Sequence, residues 1–252
     1  MASINSRYIR DVDVAESLWL AWLAEQRIPS ASLQALCADH SRLVVVAPHP
    51  DDEVLACGGL LAMRAACGLS CFVVAVTDGE ASHGSLDLQA CSRLSKRRVA
   101  ERNAGLRVLG FKPSCIARLR ISDGDVGKTI PAITEKLLLL LHPSDVVVTT
   151  WALDGHPDHE ATSVAAQQAA AAIGCRFLQA PVWMWHWASP GHPGVPWQNL
   201  VALDLPAWAL STKQHALSCH LSQLEKRSEG LGPVLVPSIV ERAARVREYY
   251  FF

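Results

Sequence analysis

Two short stretches hold most of the side chains able to do chemistry. The first is His49-Pro50-Asp51-Asp52-Glu53 and the second is Asp154-Gly155-His156-Pro157-Asp158-His159; each combines imidazole with carboxylate and neither contains a thiol. Imidazole and carboxylate without thiolate suit a catalytic zinc ion, which takes three protein ligands and leaves one position for water. Zinc brings the pKa of that water to about 7 and polarises a carbonyl, which is the chemistry needed to break an amide. Such a site also needs a carboxylate left over as base. Asp51 beside Asp52 provides one, because neighbouring loop residues point in different directions. Either stretch alone reads as a helix N-cap, with Asp accepting backbone hydrogen bonds and Pro50 or Pro157 in the first turn. The two together turn the reading towards a metal site.

The elements that would carry these residues alternate. The run Leu43-Val44-Val45-Val46-Ala47 is short, apolar and β-branched, which suits a strand buried on both faces of a parallel sheet. Residues 53–67, with Gly58-Gly59 inside, read as a helix and residues 71–77 as a second strand. A helix over 88–109 stops at Gly110, a plausible C-cap, before a strand at 114–119. The polar loop Ser122-Asp123-Gly124-Asp125, a helix over 127–141 and a strand over 145–150 follow. An Ala-rich helix to residue 173, strands near 176–185 and 199–203, and a helix over 206–222 complete the series. Ahead of it, residues 14–26 have helical spacing, and Pro29 with Ser30 reads as a stop followed by the N-cap of a short second helix. The expected fold is a three-layer, Rossmann-like α/β domain with a mostly parallel sheet, over residues 41–252, after an N-terminal helical extension over residues 1–40. In such a sheet ligands bind beyond the carboxyl ends of the strands, where both polar stretches fall.

Composition narrows the function classes. The chain has 252 residues, half of them hydrophobic, and a formal net charge of -1, enough for one sizeable core. Apart from Lys96-Arg97-Arg98 the basic residues are dispersed, so a nucleic acid is not an expected partner. No apolar run has the length of a membrane span, and the start Met-Ala-Ser-Ile-Asn-Ser-Arg lacks a secretory layout, so a cytoplasmic protein is expected. The eight cysteines form no Cys-x-x-Cys pair and read as buried reduced thiols. Trp19 and Trp22 read as packing anchors. Two readings compete for Trp183-Met184-Trp185-His186-Trp187: an alternating strand that packs, or a stacking platform for a flat ligand such as a sugar.

The stretch Val46-Ala47-Pro48-His49-Pro50-Asp51-Asp52-Glu53, taken with Asp154 to His159, resembles the PIG-L and LmbE family of N-acetylglucosaminyl-type deacetylases over roughly residues 43–223. The resemblance implies zinc on His49, Asp52 and His159, with Asp51 as the general base. It implies that His156, when protonated, stabilises the tetrahedral oxyanion or protonates the leaving amine, and that Asp158 orients that imidazole. Arg98, in Arg98-Val99-Ala100-Glu101, is then a substrate contact; by itself it reads equally as part of a solvated helix face. Asp123 is then a ligand for sugar hydroxyls, although an Asp-Gly turn explains it alone. Thr77-Asp78-Gly79-Glu80 is similar to a loop near the family's site. Lys213, Ala216, His220, Ser222 and Gln223 resemble a late family pattern in which His220 lines the pocket.

The activity so implied is removal of an N-acetyl group from an N-acetylglucosamine-type sugar or conjugate. Iron or another divalent ion fits the same donors. Two rivals stand beside it: a zinc amidohydrolase of a non-sugar or antibiotic-like N-acyl metabolite, and a nucleotide-binding α/β protein. The second rival lacks the Gly-x-Gly-x-x-Gly that should follow the first strand. The helical preface and the Trp- and Pro-rich segment from 183 to 197 depart from the family pattern and bear on the substrate rather than the chemistry. Oligomerisation is compatible with all of these readings.

Overall fold

The computed structural model describes residues 14–84, 87–227 and 232–252; the first seven residues, read above for a secretory layout, lie outside them. In chain order the elements are α1 (Glu16–Glu25), α2 (Leu33–Leu36), β1 (Leu43–Ala47), α3 (Asp52–Ala66), β2 (Cys71–Thr77), α4 (Leu88–Val108), β3 (Ile116–Ile121), α5 (Ile130–Leu140), β4 (Val146–Thr150), α6 (Pro157–Ile173), β5 (Arg176–Ala180), α7 (Met184–Trp187), β6 (Leu200–Asp204), α8 (Ala207–Ser218), α9 (Leu221–Leu224), α10 (Pro237–Ala243) and β7 (Arg247–Phe251). The seven strands form one mixed sheet in the order β3-β2-β1-β4-β5-β7-β6. The first five run parallel, while β7 is antiparallel to both its neighbours.

The alternation of side chains along β1 divides the core. Leu43 and Val45 join Leu60 and Leu61 of α3, Leu106 of α4 and Leu217 of α8 on one face. Val44 and Val46 join Ile133 and Leu137 of α5 and Ala165, Ala166 and Ala169 of α6 on the other. Helices on both faces make the three layers expected of strands apolar at every position. The strand order reverses at the β1–β4 pair, so the loops leaving these two strands flank the crevice that such a switch point opens.

Several local expectations are corrected. Residues 184–187 form one helical turn, α7, instead of a strand. The N-cap of α2 is Ser32, whose side chain accepts from the Ala35 amide, while Ser30 bridges to Ala202 beside β6. The last predicted helix is broken between Ser218 and Leu221. The strand β7 was not foreseen. Of the cysteines, all free, only Cys37 and Cys57 are buried. Trp19, Trp185 and Trp187 lie in a third apolar cluster with Trp151, which favours packing for most of the Trp-rich segment.

Helix α3 breaks at Cys57 (φ -150°, ψ 29°) and restarts. The restarted amides of Gly59 and Leu60 donate to the Glu248 carboxylate of β7 at 2.7 and 2.9 Å, and Lys213 Nζ and the Tyr250 hydroxyl donate to the same group. A Cβ on Gly59 would stand 2.5 Å from a Leu205 methyl, so the close approach of the chains requires glycine there. Glu248→Gln, which weakens a buried cap and leaves Lys213 without its counter-charge, is expected to lower stability by about 1–3 kcal/mol in urea unfolding.

Candidate metal centre and catalytic cavity

The loop after β1 and the loop after β4 bring His49, Asp52 and His159 together, with their ligand atoms all within 4.8 Å of one another. Asp52 Oδ2 lies 3.2 Å from His49 Nδ1 and 3.2 Å from His159 Nε2. The second of these approaches is close but not aligned as a hydrogen bond, so the fully buried His159 Nε2 has no hydrogen-bond partner among the described residues. On the far side of each ring stands a carboxylate. Asp154 Oδ2 is 2.8 Å from His159 Nδ1; Asp123 Oδ1 and Asp158 Oδ2 are 3.2 and 3.3 Å from His49 Nε2. A carboxylate on one ring nitrogen fixes the proton there and leaves the other nitrogen a free lone pair, the arrangement that supports metal-ligating histidine. The residues therefore fit a divalent cation held by His49 Nδ1, Asp52 and His159 Nε2.

The electrostatics agree. Burial works against charge on Asp52, yet His159 and His49 hold its carboxyl well below the usual carboxylate range. Burial likewise opposes charge on His159, while Asp52 and Asp154 raise its pKa to about 9. That surplus of negative charge around two imidazoles is what a bound cation neutralises.

Asp51 faces the cavity without joining this trio. It is the N-cap residue of α3 but makes no side-chain cap bond, which removes the capping reading for it, and its φ of 137° is one that L residues rarely adopt. Such a conformation costs on the order of 1–3 kcal/mol and persists only where the surroundings enforce it. Burial pushes its carboxyl up to about 7 against the opposing charge of Arg98. Arg98, 3 % exposed, donates from Nη2 to the Pro50 carbonyl (2.9 Å) and Asp51 Oδ2 (3.2 Å), and from Nη1 to the Gly79 carbonyl (3.0 Å). A Cβ at Gly79, whose φ is 73°, would collide with that guanidinium. Arg98 thus lines the cavity while its Nη2 holds the Asp51 turn and its Nη1 ties that turn to the Gly79 loop.

Two roles implied by resemblance are corrected. The carboxylate of Asp158 does not reach the His156 ring; it accepts from the Gly124 and Val126 amides and faces His49, and only the Asp158 backbone amide donates to His156 Nδ1 at 3.2 Å. The reason is its place in the first turn of α6, which aims the side chain at the loop before α5. That hydrogen bond puts the His156 proton on Nε2. Burial, with His159 and His49 close by, lowers the His156 pKa to about 3. His220 is 1 % exposed and does not line the cavity: its Nε2 lies over Gly105, and burial, with Arg98 and Arg102, lowers its pKa to about 3.

The cavity has a volume of about 340 Å³, within the range of small-ligand sites. One wall is polar and internally hydrogen-bonded: Ala81 N donates to Asp123, and Gln223 approaches Ser82. The other is apolar, where Leu55, Trp183 and Leu235 belong to or pack on the core between α3 and the sheet. Asp154 was the residue whose role the sequence concealed. Its carboxylate, 0 % exposed, also accepts the Val182, Trp183 and Met184 amides, and so ties the segment bearing Trp183 to the metal ligand His159. Its only sequence signal is an acid five residues before a first-turn histidine.

A mostly parallel α/β sheet with a His/Asp cation site at its switch point defines a metal-dependent hydrolase. Residues 44–170 match the profile of the family described as PIG-L: GlcNAc-PI de-N-acetylase, and the chain belongs to that family. It is a deacetylase acting on an amide bond, and His49, Asp52 and His159 are its candidate site for a divalent metal. The match ends before Lys213 to Gln223, so the late pattern stands on the residues alone. Among solved structures the chain is similar to the conserved protein TT1542 from Thermus thermophilus (26% identity, TM-score 0.57, 80% of this chain and 84% of that one). It is also similar to the zinc-inhibited form of teicoplanin deacetylase Orf2 (18%, 0.63, 84% and 97%). A third is N,N'-diacetylchitobiose deacetylase from Pyrococcus horikoshii (21%, 0.52, 84% and 80%). No curated protein sequence matches the chain.

Proposed function

We propose that the protein removes the N-acetyl group of an N-acetylglucosamine-type sugar or sugar conjugate, with zinc held by His49, Asp52 and His159. The observation that carries this reading is the paired tautomer control: each ligand histidine has a carboxylate on its outer nitrogen and an inner nitrogen turned towards Asp52. A cation there supplies a Lewis acid that polarises the amide carbonyl and acidifies water.

The chain's own groups do the rest. The Asp51 carboxylate takes a proton from the attacking water, and its pKa of about 7 suits a base that must later give that proton to the departing amine nitrogen. His156 donates its Nε2 hydrogen to the oxygen on which charge develops. Arg98 keeps Asp51 in place and favours its ionised form. Asp123, Ser82 and Gln223 offer polar atoms to sugar hydroxyls. Two of the similar structures are deacetylases named for teicoplanin and N,N'-diacetylchitobiose, which supports an acylated amino sugar as substrate.

A second reading, an N-acyl metabolite without a sugar, is favoured by the apolar wall of Leu55, Trp183, Val234 and Leu235. Purified protein assayed for metal content and for acetate release decides between them. The expected result is about one zinc per chain and release from N-acetylglucosamine or N,N'-diacetylchitobiose. Release only from N-acyl amino acids would instead establish the second reading. No helix among the described residues is long and apolar enough to cross a membrane, and the eight free cysteines support a reducing, cytoplasmic location.

A further inference from the structure

Two buried ionisable groups stand behind the Asp51 turn, and the reaction outlined above uses neither. The Asp51 amide donates to Glu53 Oε2 at 3.3 Å. Glu53 is 0 % exposed, and its Oε1 has no hydrogen-bond partner among the described residues. Arg102 of α4 is also 0 % exposed, and none of its three guanidinium nitrogens has a hydrogen-bond partner there. Glu53 is the acidic group that acts most strongly on Arg102, ahead of Asp78.

Glu53, at the second position of α3, reaches back to the N-cap amide as the third-position acid of a capping box does. In the complete motif the cap's own side chain accepts an amide of the first turn. Here that half is missing: the Asp51 carboxyl bonds to Arg98 and not to α3. The positive φ of Asp51 is what separates the two halves, since it turns the side chain out of the helix and into the cavity.

We propose that Glu53 is a positioning residue for Asp51: by holding the Asp51 amide, it maintains the strained turn that presents the Asp51 carboxyl to the substrate. Without that acceptor the backbone relaxes, and the carboxyl falls back to cap its own helix. Helix capping alone would make Glu53 a stability residue; positioning makes it a rate residue as well. The inference rests on Asp51 being the general base.

The test measures kcat, KM, bound zinc and melting temperature for Glu53→Ala, Glu53→Gln and the double variant Glu53→Ala/Arg102→Met, beside Asp51→Asn. Glu53→Ala is expected to lose about 100-fold in kcat, the effect of a misplacement near 1 Å, with KM and zinc unchanged. Glu53→Gln, which keeps an oxygen for the Asp51 amide, recovers most of that rate. The double variant removes the unpaired guanidinium and regains the melting temperature, but its kcat stays low; it also carries the comparison should Glu53→Ala not fold. A double variant that regains kcat together with stability, or any zinc-loaded Glu53→Ala protein with wild-type kcat, overturns the positioning role while leaving Asp51 as base. If Asp51→Asn itself turns over at the wild-type rate, the base assignment fails and the positioning role falls with it.

Discussion

Asp51→Asn is expected to lower kcat by about 10³-fold, within the usual contribution of a general base, while KM and bound metal stay at the wild-type level. The substitution changes one atom and tests one function. Asn has the shape of Asp, and the contacts of Arg98 and Glu53 that hold the turn at 137° fall on groups Asn keeps. Its amide oxygen still meets Arg98, 3.2 Å away in the native protein, but it cannot take a proton from water. The metal stays because its donors are His49, Asp52 and His159, none of which uses Asp51 to set its tautomer. A variant that loses its metal would exchange the roles of Asp51 and Asp52, and one that keeps its rate would remove Asp51 from the chemistry.

What the sequence disclosed followed from local rules. β1 and β4 are apolar at every position because both faces of the sheet are covered, and the polar stretches begin where those strands end. That was enough to bring His49, Asp52 and His159 to one edge. Long-range pairings stayed hidden. The segment Met184 to Trp187 alternates like a strand, yet the Asp154 carboxylate takes the amides of Val182, Trp183 and Met184 and so starts a helical turn. The strand β7 begins with Arg247-Glu248, and nothing local shows that Glu248 will cap a break in α3 nearly two hundred residues earlier. The role that the resemblance implied for Asp158, orienting His156, differs for a related reason: the first turn of α6 directs the carboxylate to His49.

Asp154 gives the second large effect, and two substitutions separate its two functions. Asp154→Ala leaves the Val182, Trp183 and Met184 amides and His159 Nδ1 without their acceptor inside a fully buried site. Breaking a buried charged network of this kind costs about 3–5 kcal/mol, read as a shift of the urea midpoint. Asp154→Asn is close in shape and keeps one oxygen, which can still serve Val182 and Met184, so it is expected to lose only the Trp183 hydrogen bond, about 1–3 kcal/mol. Its NH₂, however, turns a donor towards His159 Nδ1. The imidazole answers by moving its proton to Nε2, the atom that must present a lone pair to the metal. Zinc affinity is therefore expected to fall by about 10–100-fold, the usual effect of removing such an outer partner, in a protein destabilised less than Asp154→Ala. Zinc titration of the folded Asn variant measures this directly. Wild-type affinity in that variant would mean that Asp154 does no more than anchor the 182–184 segment, and that the His159 tautomer is set elsewhere.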